Sequence, residues 1–204
     1  MIRVLLADDQ AMVRGAIAAM LGLERDIEVV AQAGSGDEVL RAAAEAKPDV
    51  ALLDVQMPGG TVPDGIAAAA ELHRSLPSCR IVILTTFGRP GYLARAMLAG
   101  ASGFVVKDSP PEQLADAVRR VHQGLRVVDP VLAAESLSSG ASPLTARERD
   151  VLLAAADGAT VSTMARRLHL SEGTVRNHLS AAIGKTGSRT RAEAVRTADE
   201  RGWL

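Results

Sequence analysis

Rings and sulfur are what this chain has least of: one Trp, one Tyr, two Phe and one Cys in 204 residues. A single cysteine, Cys79, excludes an internal disulfide and reads as a small hydrophobe near a strand. With so few rings, alanine, valine and leucine must do the packing, which points to helix-rich layers in close approach. Long apolar runs are missing too. The opening apolar segment is interrupted by Arg3, so neither a membrane span nor a signal peptide is read, and a cytoplasmic location is expected. The four histidines, His73, His122, His169 and His178, are scattered without metal-ligand spacing and read as structural or surface residues. Net charge is only −1, while 48% of the residues are apolar, enough at this length for two small cores.

That small net charge hides a split. Residues 1–142 hold 13 Lys+Arg against 17 Asp+Glu, a balance of −4, and residues 143–204 hold 10 against 7, a balance of +3. A small basic unit following an acidic one suggests a polyanion partner for the second part alone.

Five short apolar runs punctuate the first half. Ile2-Arg3-Val4-Leu5-Leu6-Ala7 leads into Asp8 and Asp9, Val50-Ala51-Leu52-Leu53 into Asp54, Ile81-Val82-Ile83-Leu84 into Thr85, and Phe104-Val105-Val106 into Lys107. The run at 27–32 carries nothing. Helical patterns at 11–23, 36–46, 65–75, 91–99 and 112–123 alternate with them, which predicts a doubly wound, five-stranded parallel α/β sheet. The carboxyl ends of such strands share one edge, where open α/β sheets build sites.

Three carboxylates packed together repel one another and persist only with a cation, and hard oxygen ligands select Mg²⁺ or Mn²⁺. Asp8, Asp9 and Asp54, with the backbone carbonyl of Gln56, are the candidate metal ligands. Asp54 beside a metal is a candidate nucleophile toward phosphorus, with Thr85 and Lys107 contacting the phosphoryl oxygens. A plainer reading makes Asp8-Asp9 a helix N-cap pair and Lys107 a solvated charge. A metal-dependent phosphotransferase and a phosphorylation-independent DNA-binding scaffold also stay open.

Residues 1–123 read as the first domain and 124–142 as a linker, with Pro130, Ser138-Ser139-Gly140 and Ser142-Pro143 and no sustained period. Residues 143–204 read as a small all-α domain. Thr145 and Glu148 form a capping box there, and Ser162 and Ser171 are expected N-caps. Two short helices joined at Leu168-His169-Leu170-Ser171 have helix-turn-helix proportions. Ala165, Leu168, Leu170, Val175, Leu179 and Ile183 would be their shared core, leaving Thr174, Arg176, Asn177, Ser180 and Lys185 outward. Arg suits guanine, Asn adenine, and Thr, Ser and Lys phosphates or bases; a helical bundle with an ordinary polar face is the alternative.

Asp8-Asp9, Asp54 with Met57-Pro58, Thr85, and Gly100-Ala101-Ser102-Gly103-Phe104-Val105-Val106-Lys107, followed by Leu144-Thr145-Ala146-Arg147-Glu148-Arg149, Leu168 through the Val175-Arg176-Asn177-His178 stretch, and Ala192-Glu193-Ala194-Val195, resemble the two-component response regulators of the NarL/FixJ class. The ordered set covers nearly the whole chain. The resemblance implies a flavodoxin-like receiver and a LuxR-type helix-turn-helix domain, a histidine kinase that phosphorylates Asp54, Mg²⁺ as cofactor, and Thr85 and Phe104 as switch residues. It also implies a homodimer when phosphorylated and a promoter with an inverted repeat, so a transcriptional regulator and not an enzyme. Three departures stand out: Gly59-Gly60-Thr61-Val62-Pro63-Asp64 is longer than the family's turn, which suggests a mobile loop or one shaped for its kinase; Phe87 is bulky where some relatives are polar, which suggests slow self-dephosphorylation; and Gly184 sits inside the recognition helix, at a cost of about 1 kcal/mol relative to alanine.

Overall fold

The computed structural model describes residues 1–86, 90–130, 132–134 and 142–204, which fall into two compact units. Phe87 and Ser138-Ser139-Gly140 lie outside the described residues. Up to residue 128 β1 (Ile2–Ala7), α1 (Ala11–Leu21), β2 (Ile27–Ala33), α2 (Gly36–Ala46), β3 (Val50–Asp54), α3 (Gly65–Ser75), β4 (Arg80–Thr85), α4 (Pro90–Leu98), β5 (Gly103–Val106), α5 (Pro111–His122) and β6 (Val127–Val128) alternate. Each parallel pairing needs a crossover, and a helix supplies it. The strand order is β2-β1-β3-β4-β5-β6. It reverses between β1 and β3, where a crevice opens at the strands' carboxyl ends.

Val4, Leu6, Leu52, Val82, Leu84 and Val105 share one core cluster with Ile17, Leu21, Leu114 and Val118 of α1 and α5. The alternate residues Leu5, Leu53, Ile81, Ile83 and Phe104 are equally buried, and strand geometry points them to the other face. Burial on both faces is why these strands read as unbroken apolar runs.

The sheet has six strands where five were expected. Gly124, at φ 85°, turns the chain after α5, and Val127 N–H then donates to the Ser102 carbonyl at 3.0 Å. Two half-buried valines are too short a run to announce a strand; the open edge of β5 makes them one. The stretch expected to be aperiodic linker also contains helical residues at 132–134, where Leu132 N–H donates to Asp129 Oδ1.

The second unit holds α6 (Ala146–Ala155), α7 (Val161–Leu168), α8 (Glu172–Thr186) and α9 (Arg191–Glu200). The Thr145–Glu148 capping box forms, and Ser171 caps α8 through Thr174 N–H. Ser162 does not cap α7. Thr160 does, accepting from Thr163 N–H at 3.2 Å, because Gly158 at φ 78° turns the chain early enough to leave Thr160 extended. His169, at φ 53°, makes the left-handed turn between α7 and α8. Ala165, Val175 and Leu179 are buried here with Leu168, Leu170 and Ile183 packed against them, and Leu152, Met164, Ala194, Ala198 and Trp203 complete the core.

Candidate functional site

Strand register assembles the pocket before any side chain is considered. Ala7 pairs with Leu53, Asp54 with Leu84 and Thr85 with Val106. Asp8 and Asp54 therefore stand level at the sheet edge, with Thr85 one residue and Lys107 two residues further along it. Asp8, Asp54 and Thr85 are buried at 0%, 3% and 3% exposure; Asp9 is exposed. One oxygen from each of Asp8, Asp9 and Asp54 lies within 4.8 Å of the others.

Lys107 Nζ is 2.6 Å from Asp8 Oδ2 and 3.0 Å from Asp54 Oδ2. Its backbone N–H donates to the Thr85 carbonyl at 2.7 Å, tying β5's end to β4's. One ammonium lies against two of the three clustered carboxylates, and that imbalance of charge biases protonation at Asp54. Burial pushes the Asp54 carboxyl above its usual range, aided by the neighbouring Asp8 charge, and Lys107 and the Gln56 N–H only partly oppose it. Burial alone would lower Lys107; the hydrogen bonds and charges of Asp8 and Asp54 override it and hold the ammonium above its ordinary value.

Asp8 Oδ1 accepts from Gln10 N–H at 2.9 Å. Its buried Oδ2 faces the Lys107 ammonium at 2.6 Å. α1 starts with Gln10 as N-cap and no side-chain cap, so the Asp8-Asp9 pair is not consumed in capping. Three clustered carboxylates against one ammonium leave an excess of hard oxygen that fits a divalent cation of the Mg²⁺ or Mn²⁺ kind.

Gln56 stands two residues beyond Asp54 with its side chain exposed. Phe104 is fully buried and lines a cleft of about 520 Å³ with Val127, Val128 and α5 residues. Burial pushes the Cys79 thiol up to about 12, which leaves it inert at neutral pH.

On α8, Arg176, Asn177, Ser180, Gly184 and Lys185 are exposed and Thr174 is half-buried. Arg176 pairs with Glu172 at 2.7 Å, a contact that free rotation in water can release. Thr174 Oγ1 shares a 2.8 Å hydrogen bond with the capping Ser171. Lys185 differs from the others: Nζ lies 2.9 and 2.7 Å from both oxygens of Glu148. Thirty-seven residues separate the two, so no local pattern pointed to the pair. Arg191, at the start of α9, donates to the Ala159 carbonyl at 2.7 Å.

Residues 4–119 match the family described as Response regulator receiver domain, and residues 142–198 match Bacterial regulatory proteins, luxR family. The chain is a LuxR-type response regulator. It is 43% identical over 204 residues to the transcriptional regulatory protein DesR of Bacillus subtilis, covering all of both chains. It is 37% identical over 209 residues to the DNA-binding transcriptional activator DevR/DosR of Mycobacterium tuberculosis, covering 98% and 95%. The crystal structure of the response regulator ChrA of a heme-sensing two-component system superposes with TM-score 0.58 at 32% identity, covering 100% and 98%. RcsB of Salmonella enterica bound to promoter rprA with the phosphomimetic BeF3⁻ shares the fold, with TM-score 0.75 at 24% identity over 98% and 99% of the two chains.

The regulator thus belongs among transcriptional regulatory proteins of two-component systems and not among enzymes. Its receiver implies a histidine-kinase partner and its LuxR-type domain implies DNA binding. Among the described residues no helix is long and apolar enough to cross a membrane.

Proposed function

We propose that the regulator accepts phosphate at Asp54 from a histidine kinase in the cytoplasm, with Asp8, Asp9, Asp54 and the Gln56 carbonyl holding Mg²⁺. The observation that carries this reading is Lys107 Nζ seated between Asp8 and Asp54 in a pocket with more carboxylates than cations. Asp54 attacks phosphorus as its bond to the donor imidazole nitrogen breaks, and the phosphoryl oxygens fall to Lys107 and Thr85. Bound Mg²⁺ would supply charge neutralisation for those oxygens. Phosphorylation adds roughly two negative charges, and Thr85 and Phe104 rearrange around them, shifting the receiver between two states.

Two phosphorylated copies then dimerise and place Thr174, Arg176, Asn177 and Ser180 of each α8 on half-sites about one helical turn apart, an inverted repeat. Lys185 serves through Glu148 to hold α8 in place. Wild type and Asp54→Ala are treated with acetyl phosphate and Mg²⁺, and intact mass and light-scattering mass are read on the same samples. The expected result is one phosphoryl group and a shift toward dimer in wild type only. No uptake by wild type would overturn the reading.

A further inference from the structure

The turn after Asp54, residues 58–64, is not left loose. Asp37, in the first turn of α2, accepts three hydrogen bonds from it: Thr61 N–H at 2.8 Å, Thr61 Oγ1 at 2.6 Å and Val62 N–H at 3.3 Å. Gly59 and Gly60 sit at φ 105° and 86°, in the left-handed region that favours glycine. A side chain on Gly60 would collide with the Asp37 carboxylate, and one on Gly36 with Val62. Absence of both side chains is what lets α2 and the turn approach.

The turn's ends close without this latch. Val55 N–H donates to the Leu84 carbonyl and Gly65 N–H to the Val55 carbonyl, each at 3.0 Å, Met57 is fully buried, and Asp64 caps α3 through Ala67 N–H. Residues 58–61 are exposed and add nothing to the core, so the fold does not need them ordered. What the latch orders is the exposed segment 58–61, which follows Gln56 and Met57 in the chain. Two adjacent glycines left unpinned would sample many backbone states, each costing entropy to recover when a ligand is bound.

We propose that Asp37 is a positioning residue for phosphoryl transfer: by latching Thr61 and Val62 it holds residues 58–61, just beyond Gln56, in the conformation that admits the metal and the donor. This rests on Asp54 being the phosphoacceptor. The full-length chain is titrated with Mg²⁺ by calorimetry, its phosphorylation by acetyl phosphate is timed by intact mass, and exchange of amide hydrogens in 59–62 is followed. Asp37→Ala binds Mg²⁺ about fivefold more weakly and is phosphorylated more slowly, for the loss of about one net hydrogen bond's worth of order. Its thermal midpoint stays near wild type and its 59–62 amides exchange faster. Gly60→Ala, which breaks the latch from the other side, gives the same shift, and the double variant adds nothing further, as expected of one shared contact.

Thr61→Val, which removes only an exposed hydroxyl, lies between and keeps the test valid should Asp37→Ala fold poorly. Mg²⁺ affinity and phosphorylation unchanged in Asp37→Ala and Thr61→Val, with wild type active, would overturn the latch alone. A wild type that takes up neither Mg²⁺ nor phosphate would sink the phosphoacceptor reading and the latch with it.

Discussion

Lys107 and Lys185 each bring an ammonium to a buried carboxylate, and the two settings have opposite character. In the second unit Glu148 is 5% exposed and meets one lysine, the Thr145 N–H and its own capping box. Burial works against its charge, but Lys185 and Thr145 override it and hold the carboxyl below its usual range. In the receiver one lysine is shared among more carboxylates than it can satisfy, and Asp54 is pushed upward. A buried charge whose partners favour it is scaffold. A buried charge held against its preference, at a sheet edge where the strand order reverses, marks a candidate functional site.

The largest effect should come from breaking the satisfied pair. Glu148→Ala removes half of the capping box and the buried end of the Lys185 pair, and should cost about 2 kcal/mol. Trp203, the sole tryptophan, is buried in that unit's core, so its fluorescence during urea unfolding reports this domain. The same signal gives the pH dependence. A depressed native carboxyl contributes fully above its unfolded value and loses that contribution as pH falls through the native one. The urea midpoint should therefore decline on acidification below the ordinary carboxylate range, and Glu148→Gln should flatten this limb. A steeper decline in the variant would break the comparison.

On the strained side the sign reverses. Asp54→Asn removes a disfavoured buried charge and should raise receiver stability by about 1 kcal/mol. Mg²⁺ should raise the calorimetric midpoint of wild type more than that of the variant; equal shifts would place the metal elsewhere.

Two smaller tests ask whether α8's surroundings carry strain of their own. A Cβ on Gly184 meets nothing within 4 Å, so Gly184→Ala should stabilise the helix by about 1 kcal/mol. Because Gly184 shares the exposed face with Arg176, Asn177 and Ser180, promoter affinity measured alongside tells whether that face needs the gap. Relieving His169 of its left-handed turn with His169→Gly should yield about 0.5 kcal/mol, the steric gain less glycine's greater unfolded freedom.

Much of the pocket was legible because parallel strands buried on both faces are apolar runs that end at one edge, so whatever follows each run is brought together. Asp8, Asp54, Thr85 and Lys107 followed from that rule, and the Thr145–Glu148 box and Ser171 cap from local spacing. β6 was not legible, since two valines become a strand only where β5 offers an edge. Thr160 took the cap expected of Ser162 because Gly158 set where the helix could begin. Lys185 was read as a DNA contact from its helical face, and the Glu148 carboxylate that engages it comes from another helix.

The sequence by itself determined the order of elements, the apolar faces and the chemistry at each strand end, because periodicity and chain-local hydrogen bonding act over a few residues. Tertiary structure alone decided which charges meet and which are satisfied: Lys107 divided between Asp8 and Asp54, Lys185 drawn to Glu148, and Asp37 closed on Thr61. These contacts join residues far apart in the chain, and their energies depend on burial and partner geometry that exist only once the helices and sheet have packed.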